Sequence, residues 1–225
     1  MLADSAYVGN LQAQEFDSQY WQNRGEISAV TGGRGAAWFI DSGERQWVLR
    51  HYRRGGLVAR VCADRYLWCG EAAVRSFAEW HLLAALVARG LPVPKPIAAR
   101  YQRVGLLYRC ELITQRIPNT QPLSAALNCA PQSESQWRAV GVTIARLHAA
   151  GVDHADLNAH NILLNDQGAV SVIDFDRGRL RSPGAWRAGN LRRLYRSLIK
   201  ITRAMPANRF SLQAWDWFRA GYGSG

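Results

Sequence analysis

The sequence predicts an α+β protein of two lobes, the first rich in strands and the second in helices. Three observations carry this expectation. Short runs of strand-forming residues separated by turn residues occupy the first half of the 225-residue chain. Apolar residues recur at helical spacing through much of the second half. No internal repeat or long linker separates the halves, so the boundary is placed in the break at residues 114–118, giving lobes of 1–115 and 116–225.

Taken in order, residues 1–28 have a polar, mixed pattern without periodicity, and they are expected to wrap the surface. Ala36–Ile40 and Gln46–Tyr52 read as strands flanking Asp41-Ser42-Gly43. Glu71–Arg89 reads as a helix with Ala73, Phe77, Trp80, Ala84 and Val87 on its apolar row. It stops at Gly90, and Pro92, Pro94 and Pro96 prevent its return. Ile97–Gln102 and Leu106–Thr114 read as two further strands. After Pro118-Asn119-Thr120 the pattern turns helical, opening with the capping-box candidate Ser133-Glu134-Ser135-Gln136. The stripe Trp137, Val140, Gly141, Ile144, Leu147 and His148 follows.

Composition excludes several classes. A 48% hydrophobic content and nine tryptophans are incompatible with a disordered chain. The longest apolar run, Leu82–Ala88, is seven residues, against about 20 needed to cross a bilayer. The N-terminus has neither a basic start nor an apolar core, so no secretory signal is expected. The four cysteines lack CxxC spacing and do not read as zinc ligands, and a chain of this size without a signal peptide is expected in a reducing compartment.

The net charge of +11 is local. Ten of the 28 basic residues lie between Arg177 and Trp215, where there is no Asp or Glu. Such a segment attracts phosphate, whether on lipid, nucleic acid or substrate. From Asn190 to Met205, Leu191, Leu194, Tyr195, Leu198 and Met205 form one stripe. Arg192, Arg193, Arg196, Lys200 and Arg203 form another. This pattern fits a membrane-surface helix or a packed helix with a solvated face.

The segment His154-Ala155-Asp156-Leu157-Asn158-Ala159-His160-Asn161 places an Asp and an Asn five residues apart after a helix, the spacing of a kinase catalytic loop. Phosphoryl transfer needs both: a carboxylate, Asp156, to take the acceptor proton, and an amide oxygen, Asn161, to hold Mg²⁺ without adding charge. Asp174, in Asp174-Phe175-Asp176 after the strand-like run Ala169–Ile173, supplies a hard oxygen ligand for the same cation. Gly32, Gly33 and Gly35 fit a loop covering ATP phosphates, a plain hairpin turn being the alternative. Arg50 stands where kinases carry a lysine, with Glu79 as its candidate partner and Arg53 or Lys95 as alternative phosphate cations. Glu79 shares a helix face with Ala72, Leu83 and Leu86 and is expected to point inward, a solvated helix glutamate being the alternative. Adenine contacts are placed at the hinge, Thr114 and Ile117. His148 reads as a core histidine, and His160 as a residue that orients backbone.

Arg50-His51-Tyr52-Arg53-Arg54-Gly55-Gly56-Leu57, Arg75-Ser76-Phe77-Ala78-Glu79, Gly90-Leu91-Pro92-Val93-Pro94-Lys95-Pro96 and residues 154–164 together resemble the bacterial 3-deoxy-D-manno-octulosonic acid (Kdo) kinases. The resemblance, from about Trp21 onward, implies a bilobal protein-kinase-like fold with Asp156 in the active site and an arginine at position 50. It implies ATP and Mg²⁺ as cofactors and a Kdo-lipid A precursor as substrate. The implied location is peripheral, on the anionic cytoplasmic face of the inner membrane, with no obligate protein partner and no nucleic acid. Asp174-Phe175-Asp176 lacks the glycine of the protein-kinase motif, and no APE motif follows, which argues against a protein substrate. A heptose kinase or other small-molecule kinase, a nucleic-acid-binding protein using residues 177–215, and an inactive kinase-like scaffold are the alternatives.

Overall fold

A computed structural model describes residues 1–7, 10–30, 37–43, 45–53 and 64–225. The chain forms two compact units, Met1–Ala84 with Pro94–Arg116 and Ala85–Val93 with Ile117–Gly225.

The first unit is built on an antiparallel sheet of β1 (Leu2–Ala3), β2 (Ile27–Ala29), β3 (Ala37–Ser42), β4 (Arg45–His51), β5 (Tyr66–Leu67), β6 (Pro96–Val104) and β7 (Leu107–Gln115). Among the described residues the order is β1-β6-β7-β4-β3-β2, with β5 pairing β7. The four expected strands are present, each displaced by a residue or two. Gly43 and Gly105, both at φ 61°, close the tight turns of the β3–β4 and β6–β7 hairpins. Along β4, Trp47 and Leu49 are buried while Val48 and Arg50 are partly exposed, the alternation a sheet with one covered face requires.

Residues 1–28 do not merely wrap the surface. Leu11, Phe16 and Trp21 are buried in one cluster with Ile40, Trp47, Leu49, Ile97 and Ile113. Their spacing of five residues fits no regular element. The segment is a series of turns, a 3₁₀ turn at Ala13–Phe16 and the short helix α1 (Ser18–Asn23). The Trp21 indole N–H donates to the Glu15 carbonyl at 2.8 Å, so the ring is buried with its polar atom satisfied.

The long helix also differs from expectation. Glu71–Ala73 is a 3₁₀ turn, and α2 runs from Arg75 to Ala88. Ala72 and Ala73 are exposed, and Trp80, Ala84 and Val87 are only half-buried. The buried face carries Ser76, Phe77, Glu79, Leu82, Leu83 and Leu86. The helix is apolar around so much of its circumference that periodicity cannot select the inner face. The helix ends in a Schellman motif: Gly90 lies at φ 65°, its N–H donates to Val87, and the Leu91 N–H donates to Leu86 at 3.1 Å.

In the second unit the elements are β8 (Thr120–Pro122), α3 (Leu123–Cys129), α4 (Glu134–Ala149), β9 (Val152–Asp153), β10 (Ile162–Asn165), β11 (Val170–Val172), β12 (Arg179–Leu180), α5 (Trp186–Thr202) and α6 (Leu212–Gly223). This half is less purely helical than the sequence suggests. Strand β11 falls inside the strand-like run Ala169–Ile173, but the other strands, of two to four residues, are too short to show a period, and β12 finds its partner β9 far back in the chain. The strands pair as β11-β10-β8 and β12-β9.

Helix α4 is capped by Ser133, which accepts the Gln136 N–H at 3.2 Å, but the expected box is not closed, because the Gln136 side chain donates to the Gly168 carbonyl at 3.5 Å. Trp137, Val140, Gly141, Ile144, Leu147 and His148 are all buried. Gly141 and Gly221 bring α4 and α6 into backbone contact. A Cβ on Gly141 would overlap the Phe218 carbonyl oxygen and lie 2.6 Å from the Tyr222 nitrogen. At Gly221 it would overlap the Arg138 carbonyl. Observed architecture and expectation therefore agree at the level of class: α+β, with an antiparallel sheet and separate helices.

Candidate active site

The segment after α4 is held from several sides. Gly151, at φ 80°, turns the chain into β9, where Asp153 is buried. Burial would raise the Asp153 pKa, but hydrogen bonds from Arg181 and Asn190 outweigh it and keep the carboxyl below its ordinary range. Arg181 donates to Oδ2 and Asn190 to Oδ1, both at 3.0 Å.

His154 is buried, and burial holds its pKa below the usual imidazole value. The ring is therefore neutral near pH 7, and its contacts fix the tautomer. Nε2–H donates to the Ile173 carbonyl at 3.0 Å, and Nδ1 accepts the Asp156 N–H at 3.2 Å. One imidazole thus ties the backbone of Asp156 to the residue preceding Asp174. The ring also packs on Phe175, centroids 4.7 Å apart.

Asn161 closes the loop. Its Nδ2 donates to the Asp156 carbonyl at 3.0 Å, and its own carbonyl accepts the Ile173 N–H at 2.9 Å. The amide nitrogen is engaged, so the amide oxygen is the atom turned to other work. Asp174 sits at φ 64°, a left-handed conformation that disfavours a non-glycine residue. Such strain, of order 1–3 kcal/mol, concentrates at functional sites. The loop's hydrogen bonds therefore link Asp156, Asn161 and Ile173, the neighbour of Asp174, in one network. The Asp156 side chain is 58% exposed, and its carboxylate meets Arg193 Nη1 at 3.2 Å.

In the first unit, Arg50 lies on β4 opposite Leu112 of β7 and Ala37 of β3. Its guanidinium bonds the Glu79 carboxylate and the Tyr52 hydroxyl, and Tyr52 also donates to Glu79. Glu79 is 3% exposed, so this α2 carboxylate is buried beside a cation and not solvated. Of the alternative cations, Lys95 bonds Asp4 at 3.3 Å and Arg53 is exposed. Thr114 is half-buried on β7, opposite Val48. Ile117 opens the longer segment of the second unit, and its carbonyl accepts the Thr120 hydroxyl at 2.9 Å. Gly32, Gly33 and Gly35 lie outside the described residues.

Sequence reasoning assigned backbone orientation to the wrong histidine. His160 is exposed and bonds the Ser124 hydroxyl at 2.8 Å, whereas His154 anchors the loop. The signal was available: His154 stands two residues before the key aspartate. Arg193 and Asn190 carried no such signal, because only the folded course of α5 brings them to the loop. His148 is a core histidine as expected, and burial pushes its pKa down to about 4.

Residues 18–222 match the lipopolysaccharide kinase (Kdo/WaaP) family. The chain is 48% identical over 202 residues to a 3-deoxy-D-manno-octulosonic acid kinase of Xanthomonas axonopodis pv. citri, covering 89% of this chain and 80% of that one. Proteins of the same name from Xanthomonas oryzae pv. oryzae and Stenotrophomonas maltophilia are each 50% identical, over 199 and 202 residues. They cover 88% and 89% of this chain and 79% and 80% of their own. With the match running from α1 to α6 and through the whole loop, the chain belongs to the lipopolysaccharide kinase (Kdo/WaaP) family.

Proposed function

We propose that the protein transfers the γ-phosphoryl group of ATP to a hydroxyl of the Kdo sugar on a lipid A precursor, a step of lipopolysaccharide core synthesis. The observation that carries this reading is the identity of about half over nearly the whole chain to proteins named Kdo kinases. The geometry of the loop supports it.

Asp156 presents an exposed carboxylate on a backbone fixed by His154 and Asn161. A carboxylate so placed accepts the acceptor hydroxyl's proton as the oxygen attacks phosphorus. Arg50, held by Glu79 and Tyr52, supplies a delocalised cation to the nucleotide phosphates. Guanidinium serves this role well, because its donors point in several fixed directions and can bridge carboxylate and phosphate. Thr114 and Ile117 are assigned to adenine, and Gly32, Gly33 and Gly35 to the phosphates.

Asn161 and Asp174 fit a magnesium ion. One amide oxygen and one carboxylate form the sparse, hard donor set that Mg²⁺ accepts when phosphates complete its shell. When bound, Mg²⁺ neutralises phosphate charge that develops during transfer.

We place the protein peripherally on an anionic, cytoplasmic membrane surface. Among the described residues no helix is long and apolar enough to cross a membrane. The basic segment is not one continuous stripe. Arg179 and Arg181 pair with Asp153, Arg193 pairs with Asp156, and Arg187 donates to the His148 carbonyl. Arg192, Arg196, Lys200 and Arg203 remain exposed, without ion pairs among the described residues. Arg192 and Arg196 rim a groove formed by Leu191, Tyr195 and Trp215. Basic residues around an aromatic groove suit the headgroup layer of an anionic leaflet. Equal partition of the protein onto neutral and anionic vesicles would reject this placement.

The function is tested by incubating the protein with Mg²⁺ and γ-labelled ATP beside purified Kdo-lipid A precursor and heptose-bearing acceptors lacking Kdo. Label should enter the Kdo acceptor. Label entering only heptose would make the protein a heptose kinase.

A further inference from the structure

Arg193 is the residue whose position the proposed mechanism leaves unexplained. Helix α5 follows the 154–159 loop along one row of side chains at i, i+3 and i+7. Asn190 accepts the His154 N–H through Oδ1 at 3.0 Å, and Ser197 accepts the Ala159 N–H at 3.2 Å. Arg193 lies between these two pins and reaches Asp156. The row turns the face of α5 that carries Arg193 toward the loop, so the contact with Asp156 follows from where the helix is pinned.

Stability does not account for the pair. The two side chains are 48% and 58% exposed, and exposed ion pairs contribute about 0–1 kcal/mol. The arrangement makes sense if the guanidinium has a second anion to engage when the acceptor arrives. Arginine carries five N–H donors in a planar fork matched to carboxylates, and Asp156 uses one of them.

The acceptor proposed above carries such an anion. Kdo is an ulosonic acid, with a carboxylate on its anomeric carbon, and a heptose has none. We propose that Arg193 binds the carboxylate of the acceptor sugar, making it a specificity-determining residue for an acidic sugar over a neutral one. This inference rests on the Kdo-kinase reading. On binding, the acceptor carboxylate takes the fork of Arg193, and the acceptor hydroxyl takes its place at Asp156. One carboxylate–guanidinium pair replaces another.

The experiment compares two acceptors, Kdo-lipid A precursor and its carboxyl methyl ester, which retains every hydroxyl. Each is assayed with the unaltered protein, Arg193→Gln and Arg193→Lys. With the acid, Arg193→Gln should raise the acceptor KM about tenfold or more, the range of charged hydrogen bonds, with the ATP KM unchanged. The unaltered protein should suffer a similar loss on the ester, and Arg193→Gln should lose little further there. Arg193→Lys should recover part of the loss. Equal losses from Arg193→Gln on acid and ester would overturn the proposal. So would a raised ATP KM in the variant, which would place Arg193 on the nucleotide. Undiminished use of the ester by the unaltered protein would overturn it with no variant needed. If the unaltered protein phosphorylates neither Kdo acceptor, the Kdo-kinase reading fails and the proposal falls with it.

Discussion

Glu79 offers the sharpest test of how the first unit is built. Its side chain is 2% exposed and bonded by Arg50, whose own side chain is 21% exposed. Removing one partner of a fully buried ion pair costs about 3–5 kcal/mol. Partial exposure of Arg50 and the Tyr52 hydroxyl on the same carboxylate place Arg50→Ala near 3 kcal/mol. Glu79→Ala leaves a guanidinium that water can reach, so about 2 kcal/mol is expected. Independent sites would sum to about 5 kcal/mol, whereas partners should couple by 1–3 kcal/mol, leaving the double variant near 3 kcal/mol. Urea unfolding of the four proteins measures this directly. The same set, assayed for ATP KM, should show similar rises in both single variants and little further rise in the double. Losses additive to within about 0.5 kcal/mol would show that the two residues do not act as a unit. An unchanged ATP KM for Arg50→Ala would move the phosphate contact to Arg53 or Lys95.

Three further outcomes follow from other parts of the molecule. Asp174→Ala should weaken Mg·ATP binding and turnover together, and unchanged affinity by calorimetry with turnover retained would remove Asp174 from the metal site. His148 has a native pKa of about 4 against an ordinary 6.5, so the unfolded state binds its proton first. Stability from this group is complete above pH 6.5 and declines as pH falls toward 4. From pH 7 to 5 the unaltered protein should lose about 2 kcal/mol more than His148→Gln, and parallel pH profiles would contradict the assignment. Gly141→Ala should destabilise by at least 2–3 kcal/mol, because the new methyl meets α6 backbone and not a movable side chain. A variant as stable as the original would show that α4 and α6 are not in backbone contact.

Much of this architecture was legible because its signals are local. The first hairpin announced itself through Asp41-Ser42-Gly43, and α4 through its Ser133 cap and a row that recurs at helical spacing. The loop motif was legible because phosphoryl transfer constrains residue type and spacing together. What escaped depends on partners remote in sequence. Phe16 and Trp21 are core residues only because β4, β6 and β7 lie over them. On α2 the row through Ala73, Trp80, Ala84 and Val87 is not the most buried one, whereas Glu79, Leu83 and Leu86 are buried as the Glu79 face predicts. The basic segment looked uniform, yet the fold ties Arg179, Arg181, Arg187 and Arg193 to specific acceptors. Charge counting cannot separate them from Arg192, Arg196 and Lys200.

The role proposed for Asp156 is to take the acceptor proton during transfer from ATP to Kdo. It is tested by the turnover of Asp156→Asn on Kdo-lipid A precursor, alongside its affinity for Mg·ATP. The substitution keeps the side chain's size while abolishing its basicity. Positioned general bases contribute about 10²–10⁴-fold, so kcat should fall by at least a hundredfold while Mg·ATP affinity changes little. A variant that keeps more than about a tenth of the original kcat would contradict the assignment of the base.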